Sequence, residues 1–199
     1  MSYSYYEVYI NSLRAFSGMG FPYGADEDAA YIISWLELNN LNGIKLLSSA
    51  IKKIDKKYDG KINIKKKEFD FNLKNSSTLI KGPGIIDYLH FKFENKKKID
   101  VIINNCNDPE FFIPLLHKIV NNQLFVNLIY FNKKNEKTLC EIKYNSLKIG
   151  KIYSQVNIKK NQVIILITNK YEKLILKKIE KKITNNSIQN YLSKSLKPE

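Results

Sequence analysis

Apolar residues recur at helical spacing over the first quarter of the chain. Ser4 and Glu7 have the spacing of a capping box, and the apolar positions after them predict a first helix that stops at Gly18. Asp26 is placed to cap a second amphipathic helix, and a third helix with lysines on its outer face follows. Three consecutive helices are therefore predicted within residues 1–58.

After residue 59 the pattern changes to the alternation of apolar and polar positions that is typical of half-buried strands. Strands are predicted at 62–64, 69–73, Ile99–Ile103, Leu124–Phe131, Thr138–Tyr144, Lys151–Ile158 and Gln162–Thr168. Lys133–Glu136 and Lys159–Asn161 have the composition of hairpin loops. The middle of the chain is therefore predicted to form a sheet.

Breaker residues separate these elements. Gly82-Pro83-Gly84 is expected to be a turn, followed by a short helix or strand over Ile85–Leu89. Asp108-Pro109-Glu110 predicts the start of a short or kinked helix that reaches Asn121. A lysine-rich helix is expected from Tyr171 to about Leu192.

This order of elements predicts an α+β fold, in which three N-terminal helices pack on an antiparallel or mixed sheet and a C-terminal helix follows. The 199 residues are expected to form a single domain. Within it, 1–58 is a helical subregion, and 59–199 is a strand-rich region that includes the C-terminal helix. No internal repeat and no low-complexity linker interrupts the chain.

The net charge of +14 raises the question of nucleic-acid binding. Of the 33 basic residues only Arg14 is an arginine, which leaves 32 lysines. Base and phosphate recognition depends heavily on the planar guanidinium group, so this composition argues against a dedicated nucleic-acid surface. Abundant lysine, asparagine and isoleucine are better explained by an A+T-rich genome, and lysine-mediated nucleic-acid binding is kept as an alternative.

Cysteine content and apolar patterning indicate the compartment. Cys106 and Cys140 are isolated in the sequence and form no disulfide framework. No signal peptide is visible at the N-terminus, and no apolar run approaches the 18 residues that suggest a membrane helix. We therefore expect a cytoplasmic protein without a membrane partner.

Two glycine-containing segments resemble nucleotide-binding motifs but fail on spacing. The run Gly18–Gly24 has one residue too many for a dinucleotide fingerprint and lies between two predicted helices. Gly150-Lys151 cannot be a P-loop, because Asn145 occupies the required upstream glycine position. No cofactor is predicted, although Tyr23 and the following helix start remain a candidate ligand site.

The segment Gly82–His90 is the better candidate site. Gly82 and Gly84 would expose backbone amides in a turn, while the carboxylate, phenol and imidazole that follow could act in acid–base chemistry. These side chains belong to Asp87, Tyr88 and His90. The alternative is a structural turn whose polar side chains face solvent, and this alternative is favoured.

A second candidate is a thiol–imidazole pair formed by Cys106 and His117, with Asn107 and Asp108 beside the thiol. The structural alternative is a buried cysteine at a strand end and a histidine on an apolar helix. No cluster has metal-ligand spacing, so no metal is predicted.

The N-terminal segment resembles a known bacterial family. The segment Ala15–Ala29, with Trp35-Leu36 and Leu41-Asn42-Gly43, is similar to the signature of a family frequent in marine proteobacteria and catalogued as a domain of unknown function. The resemblance covers about the first quarter of the chain and implies no catalytic residue.

Residues 28–43 also resemble the start of the malate/lactate dehydrogenase-like oxidoreductases. In that family the glycine is soon followed by a catalytic Ser-His-Gly segment. Here Gly43 is followed by Ile44-Lys45-Leu46-Leu47 without a histidine, and the chain is much shorter. The resemblance thus implies kinship in which the family's chemistry has been lost.

The sequence favours a non-catalytic metabolic accessory or small-ligand-binding domain over an enzyme, with a homodimer as a compatible assembly. The surplus of 13 Tyr and 10 Phe suits a ligand pocket and an ordinary core equally. The alternatives are an enzyme of unknown class that uses Gly82–His90, and the lysine-mediated nucleic-acid binder.

Overall fold

A computed structural model describes residues 3–62, 68–94, 96–152, 157–169 and 176–184. It begins with helix α1 (Tyr5–Gly18), which carries the predicted capping box. The backbone amide of Ser4 donates to Glu7 Oε2 over 2.8 Å, and the backbone amide of Glu7 donates to Ser4 Oγ over 3.2 Å. The first predicted helix is therefore confirmed together with its start signal.

Helices α2 (Ala25–Leu38) and α3 (Gly43–Ile54) follow as predicted, but the start of α2 differs. The N-terminal cap is Gly24, whose φ of 86° suits a residue without a Cβ. Asp26 lies inside the first turn, where its Oδ1 accepts from the backbone amide of Glu27 over 2.9 Å. The prediction that Asp26 caps the helix is wrong, because the glycine turn begins the helix earlier.

Seven described strands form one mixed sheet in the order β1-β2-β6-β3-β4-β5-β7. The strands are β1 (Asp70–Asn72), β2 (Lys98–Asn104), β3 (Phe125–Phe131), β4 (Lys137–Lys143), β5 (Ser146–Ile152), β6 (Val163–Thr168) and β7 (Leu176–Thr184). Among the described strand pairs, only β1–β2 is parallel. Helix α4 (Thr78–Phe93) connects these two strands, as a parallel pair requires a crossover.

Buried and exposed side chains alternate along β2, and the buried ones face the helices. In β2, Ile99, Val101 and Ile103 are buried, while Lys98, Asp100 and Ile102 are exposed. The buried positions oppose Ile167, Ile165 and Val163 of β6 and belong to the main core with the helices. The opposite face holds a smaller apolar cluster around Ile129, Leu139, Ile152 and Ile158.

Gly82-Pro83-Gly84 was expected to be a turn, and this prediction is wrong. The three residues lie inside α4, which Ser77 caps by accepting from the backbone amide of Leu79 over 3.2 Å. A Cβ on Gly82 would lie 2.9 Å from Leu115 Cδ1 on helix α5 (Phe112–Ile119). The glycine thus permits close packing of two helices rather than a reversal of the chain.

The start predicted at Asp108-Pro109-Glu110 is confirmed. A 3-10 turn over Pro109–Phe111 leads directly into α5. Pro114 falls in the first turn of α5, where the missing amide hydrogen costs little.

The strand-rich region confirms the first predicted hairpin and corrects the second. The loop at Lys133–Glu136 joins β3 to β4, with the backbone amide of Asn132 donating to Glu136 O over 3.0 Å. The strand expected at Lys151–Ile158 instead begins at Ser146, after a two-residue turn at Tyr144-Asn145, and residues 153–156 lie outside the described residues. β6 pairs with β2 and β3 rather than with β5, so the predicted second hairpin is wrong.

The C-terminal helix is also corrected. Leu176–Thr184 is strand β7, antiparallel to β5, and the rest of the predicted Tyr171–Leu192 helix lies outside the described residues. Apolar residues at 176, 179 and 183 have helical spacing, which explains the prediction. In the sheet, the β5–β7 pair carries two register shifts, between Ile149 and Gly150 and between Lys151 and Ile152.

The α+β class with N-terminal helices on a mixed sheet is confirmed. The division into subregions 1–58 and 59–199 stays a prediction. None of the helices in the described part of the chain is long and apolar enough to cross a membrane.

Candidate functional site

A cleft of about 380 Å³ lies between the start of α3 and the β3–β4 hairpin. Four lysines line it, together with carboxylates from Glu110 and Glu136 and an apolar wall from Leu41 and Leu46. We call this cleft the lysine basin, and its lysines are Lys45, Lys133, Lys134 and Lys151.

The α3 side of the basin depends on unusual backbone geometry. Asn40 and Asn42 adopt left-handed conformations with φ of 55° and 56°, which asparagine tolerates better than most residues. A Cβ on Gly43 would lie 2.3 Å from the backbone oxygen of Ile33, so only glycine lets α3 begin this close to α2. This packing brings Lys45, two residues later, to the cleft.

The start of α3 already has a carboxylate partner. The backbone amide of Ile44 donates to Glu37 Oε2 over 3.0 Å. The positive character of the basin therefore rests on its lysine side chains rather than on free helix amides.

The hairpin side is held by a network around Asn132. Its Oδ1 accepts from the backbone amides of Lys134, over 2.9 Å, and Glu136, over 3.1 Å. Asn135 completes the loop with a left-handed φ of 57°. Lys133 Nζ donates to Ser49 Oγ of α3 over 3.3 Å, which ties the two sides of the basin together.

The charges in the basin do not cancel. Lys151 Nζ lies 2.6 Å from Glu136 Oε1. Hydrogen bonds from Lys151 and Asn132 hold the pKa of Glu136 below its ordinary value, so this carboxylate is ionised. Four lysines against two carboxylates leave an excess of two positive charges when both are ionised.

Glu110 enters the basin from the 3-10 turn that follows β2. Its side chain is half-buried, and burial raises its pKa. Lys133 acts in the opposite direction, while the negative charge of Asp108 adds to the rise.

Asp108 organises the start of α4 rather than the basin. Its Oδ1 accepts from the backbone amide and from Oγ1 of Thr78, each over 3.0 Å, and its Oδ2 accepts from the Ser77 hydroxyl. Thr78 Oγ1 also lies 3.4 Å from Cys106 Sγ.

Burial first, and the charge of Asp108 second, raise the pKa of the Cys106 thiol to about 12. Such a thiol is a poor nucleophile at neutral pH.

The Gly82–His90 candidates are spread around α4. Asp87 and His90 are exposed, and Tyr88 is half-buried with its ring 5.9 Å from that of Phe71. Because the segment is helical, Gly82 and Gly84 offer no turn of exposed amides. The hypothesis of an enzyme that uses Gly82–His90 stays a prediction. The turn that it expected at Gly82-Pro83-Gly84 is absent, because these residues are helical.

The other predicted residues also have separate surroundings. His117 is half-buried with its ring 5.1 Å from that of Trp35, whereas the contacts of Cys106 are to Thr78 and Asn161. Tyr23 is 92% exposed. No contact joins Cys106 to His117 in the described ranges.

A larger groove of about 480 Å³ contains His90, Lys96 and Lys97. Lys96 is already paired with Glu68 over 2.9 Å, and Glu94 adds a negative charge to the lining. The lysine basin therefore has the stronger positive excess. Within the described residues, no three His, Cys, Asp or Glu side chains are placed to hold a metal ion.

The basin residues were not singled out from the sequence. Lys45 and Lys133 are unremarkable among 32 lysines, and in the sequence Glu110 indicates only the start of a helix. The one available signal was the position of Lys45 in the segment after Gly43, where the dehydrogenase-like family has its catalytic residues. No local sequence pattern indicates that the β3–β4 hairpin lies close to the segment after Gly43.

Comparison with known families supports the N-terminal resemblance. Residues 3–77 match the family model described as protein of unknown function (DUF3726). The predicted relation to a family of unknown function is thereby confirmed for this part of the chain. The DUF3726 region includes α1–α3, β1 and the α3 side of the basin. No curated protein matches the chain.

Solved structures share the fold at low sequence identity. Malate dehydrogenase from Pyrococcus horikoshii OT3 is 10% identical with a TM-score of 0.58, over 75% of this chain and 49% of that enzyme. Sulfolactate dehydrogenase from Methanocaldococcus jannaschii is 14% identical with a TM-score of 0.54, over 100% of this chain and 57% of that enzyme. Malate dehydrogenase from Entamoeba histolytica is 10% identical with a TM-score of 0.50, over 78% and 47% respectively.

The chain spans about half the length of these dehydrogenases, and the likeness is one of fold. Residues 3–77, which match the DUF3726 model, therefore belong to a fold that resembles those of these dehydrogenases.

Proposed function

We propose that this domain binds a small carboxylate-bearing metabolite in the lysine basin and does not transform it. The observation that carries the proposal is the convergence of four lysines on one cleft of about 380 Å³. That volume lies within the range of small-molecule sites. Lysine ammonium groups are compact, strongly charged donors that suit a carboxylate.

The position of the basin supports the same class of ligand. Lys45 lies two residues after Gly43, in the segment where the malate/lactate dehydrogenase-like family has its catalytic residues. The enzymes that share the fold are named for malate and sulfolactate, which are small anions. An anion site would persist in this chain although the family's chemistry is gone.

Two features support binding without catalysis. No histidine lies in the segment Ile44–Leu47 directly after Gly43, and only two histidines occur in the whole sequence. His90 and His117 lie outside the residues that line the basin. The basin therefore offers charge and shape but no imidazole for proton transfer.

The proposed compartment is the cytoplasm, supported by the free thiols of Cys106 and Cys140, both of which are buried. A small molecule is the proposed partner in preference to nucleic acid, because only one of the 33 basic residues is an arginine, the side chain that base and phosphate recognition favours. A homodimer stays a prediction that light scattering of the purified chain would check.

Isothermal titration calorimetry with malate tests the proposal on the full chain. We expect saturable binding that weakens about tenfold or more in K45M and in K133M, because each substitution removes a charge-assisted donor. K160M is the matched control, since Lys160 is an exposed lysine that does not line the basin.

Equal affinities in K45M, K133M and K160M would contradict the proposed site. Release of a product from malate in the presence of a nicotinamide cofactor would contradict the non-catalytic part of the proposal.

A further inference from the structure

Glu110 differs from the other carboxylate of the basin in its surroundings. Glu136 is held by Lys151 over 2.6 Å and by Asn132 over 3.2 Å. Within the described residues, no side chain donates a hydrogen bond to Glu110; its own backbone amide is the donor, and the nearby charge of Lys133 also favours the ionised form. Glu136 therefore has two side-chain donors, whereas Glu110 has none among the described residues.

A half-buried carboxylate without a side-chain donor is costly to keep ionised. Burial raises the pKa of Glu110 for that reason, and the nearby charge of Asp108 acts in the same direction. A bound group that is both cationic and a hydrogen-bond donor would compensate this cost, whereas a second anion close to Glu110 would increase it.

The basin thus presents two kinds of partner to one ligand. Its lysines suit a carboxylate, and Glu110, which lines the same cleft, suits a cation. Inorganic phosphate or a plain dicarboxylate would use only the lysines. A zwitterion would use both.

On the basis of the ligand site proposed above, we propose that Glu110 is a specificity-determining residue that pairs with an ammonium group of the ligand, so that the basin selects an amino acid. The carboxylate of the amino acid lies against the basin lysines. Plain dicarboxylates and hydroxy acids such as malate bind more weakly at the same place.

Calorimetric titration of the full chain with succinate, malate and L-aspartate tests this assignment, because the three acids differ at a single carbon. We expect aspartate to bind about tenfold more tightly than succinate or malate. In E110Q the preference should fall to within about threefold, through weaker binding of aspartate. E94Q is the control, since Glu94 lines the other groove, and it should keep the full preference.

The outcomes separate this inference from the proposed function. Equal binding of succinate and aspartate by the wild-type chain, equal binding of malate and aspartate, or an unchanged preference in E110Q would overturn the role of Glu110 and leave the anion site standing. Failure of all three acids to bind would remove both. E110D keeps the charge on a shorter side chain and should show an intermediate preference, so the test holds even if E110Q does not fold.

Discussion

His117 shows how burial changes the chemistry of a single side chain without a ligand. Its imidazole lies against Trp35, and burial lowers its pKa from 6.5. His117 therefore binds a proton more readily in the unfolded chain than in the folded chain. The resulting stability is complete above pH 6.5 and is lost as the pH falls through 6.5 towards the lower pKa of the folded state.

We expect H117Q to lose less of its unfolding free energy than the wild-type chain when the pH is lowered from about 7.5 to about 5. Urea denaturation at a series of pH values measures this difference. The matched control is H90Q, which replaces the exposed histidine. If H117Q and H90Q reduced the pH dependence of the unfolding free energy equally, the effect could not be assigned to the burial of His117.

Cys106 gives a second prediction at the scale of one residue. Because burial raises the pKa of its thiol to about 12, the folded chain should react very slowly with a thiol-specific disulfide reagent at pH 8. D108N should leave this slow rate nearly unchanged, since burial is the larger cause and the charge of Asp108 the smaller. Rapid labelling of Cys106 in the native wild-type chain would contradict this account and favour a reactive cysteine.

At the scale of elements, α4 shows where sequence patterns mislead. Two glycines around a proline are typical of a turn, yet Gly82-Pro83-Gly84 is helical because Ser77 and Asp108 fix the start of α4 and Ile85, Ile86 and Leu89 bury its far half. The packing of α5 on Gly82 is a tertiary effect that local composition cannot reveal.

This packing predicts opposite results for two similar substitutions. In G82A the added Cβ would lie 2.8 Å from Thr78 Cγ2 and 2.9 Å from Leu115 Cδ1, and we expect a loss of about 1–2 kcal/mol despite the better helix propensity of alanine. In G84A it would meet only the tip of the flexible Ile62 side chain at 2.7 Å, so stability should be unchanged or higher. Chemical denaturation of both variants measures the contrast, and a G82A chain as stable as G84A would refute close helix packing.

At the scale of the whole molecule, periodicity predicted most elements but not their arrangement. The three N-terminal helices and strands such as β2 and β3 carry strong local signals. The place of β6 between β2 and β3 has no local signal, because any apolar strand can pair with either neighbour. The lysine basin was missed for the same reason, since it forms only when the β3–β4 hairpin meets α3.

The net charge of +14 yields a prediction for the whole chain. Binding to double-stranded DNA, followed by fluorescence anisotropy, should be weak and should disappear between about 50 and about 200 mM salt, as expected for non-specific phosphate contacts. Amino-acid binding in the basin involves fewer charges and should fall much less over that range. Tight DNA binding at about 200 mM salt would instead favour the nucleic-acid alternative.

The position of β6 also bears on how the chain folds as it is synthesised. β2 and β3 have no hydrogen bonds to each other, and β6 is the only described strand that joins them. Until Val163–Thr168 leaves the ribosome, β1–β2 and β3–β4–β5 are two separate pieces, each with an open edge. A nascent chain that stalls before residue 163 would be a natural substrate for chaperones, and the insertion of β6 would be the step that completes the sheet.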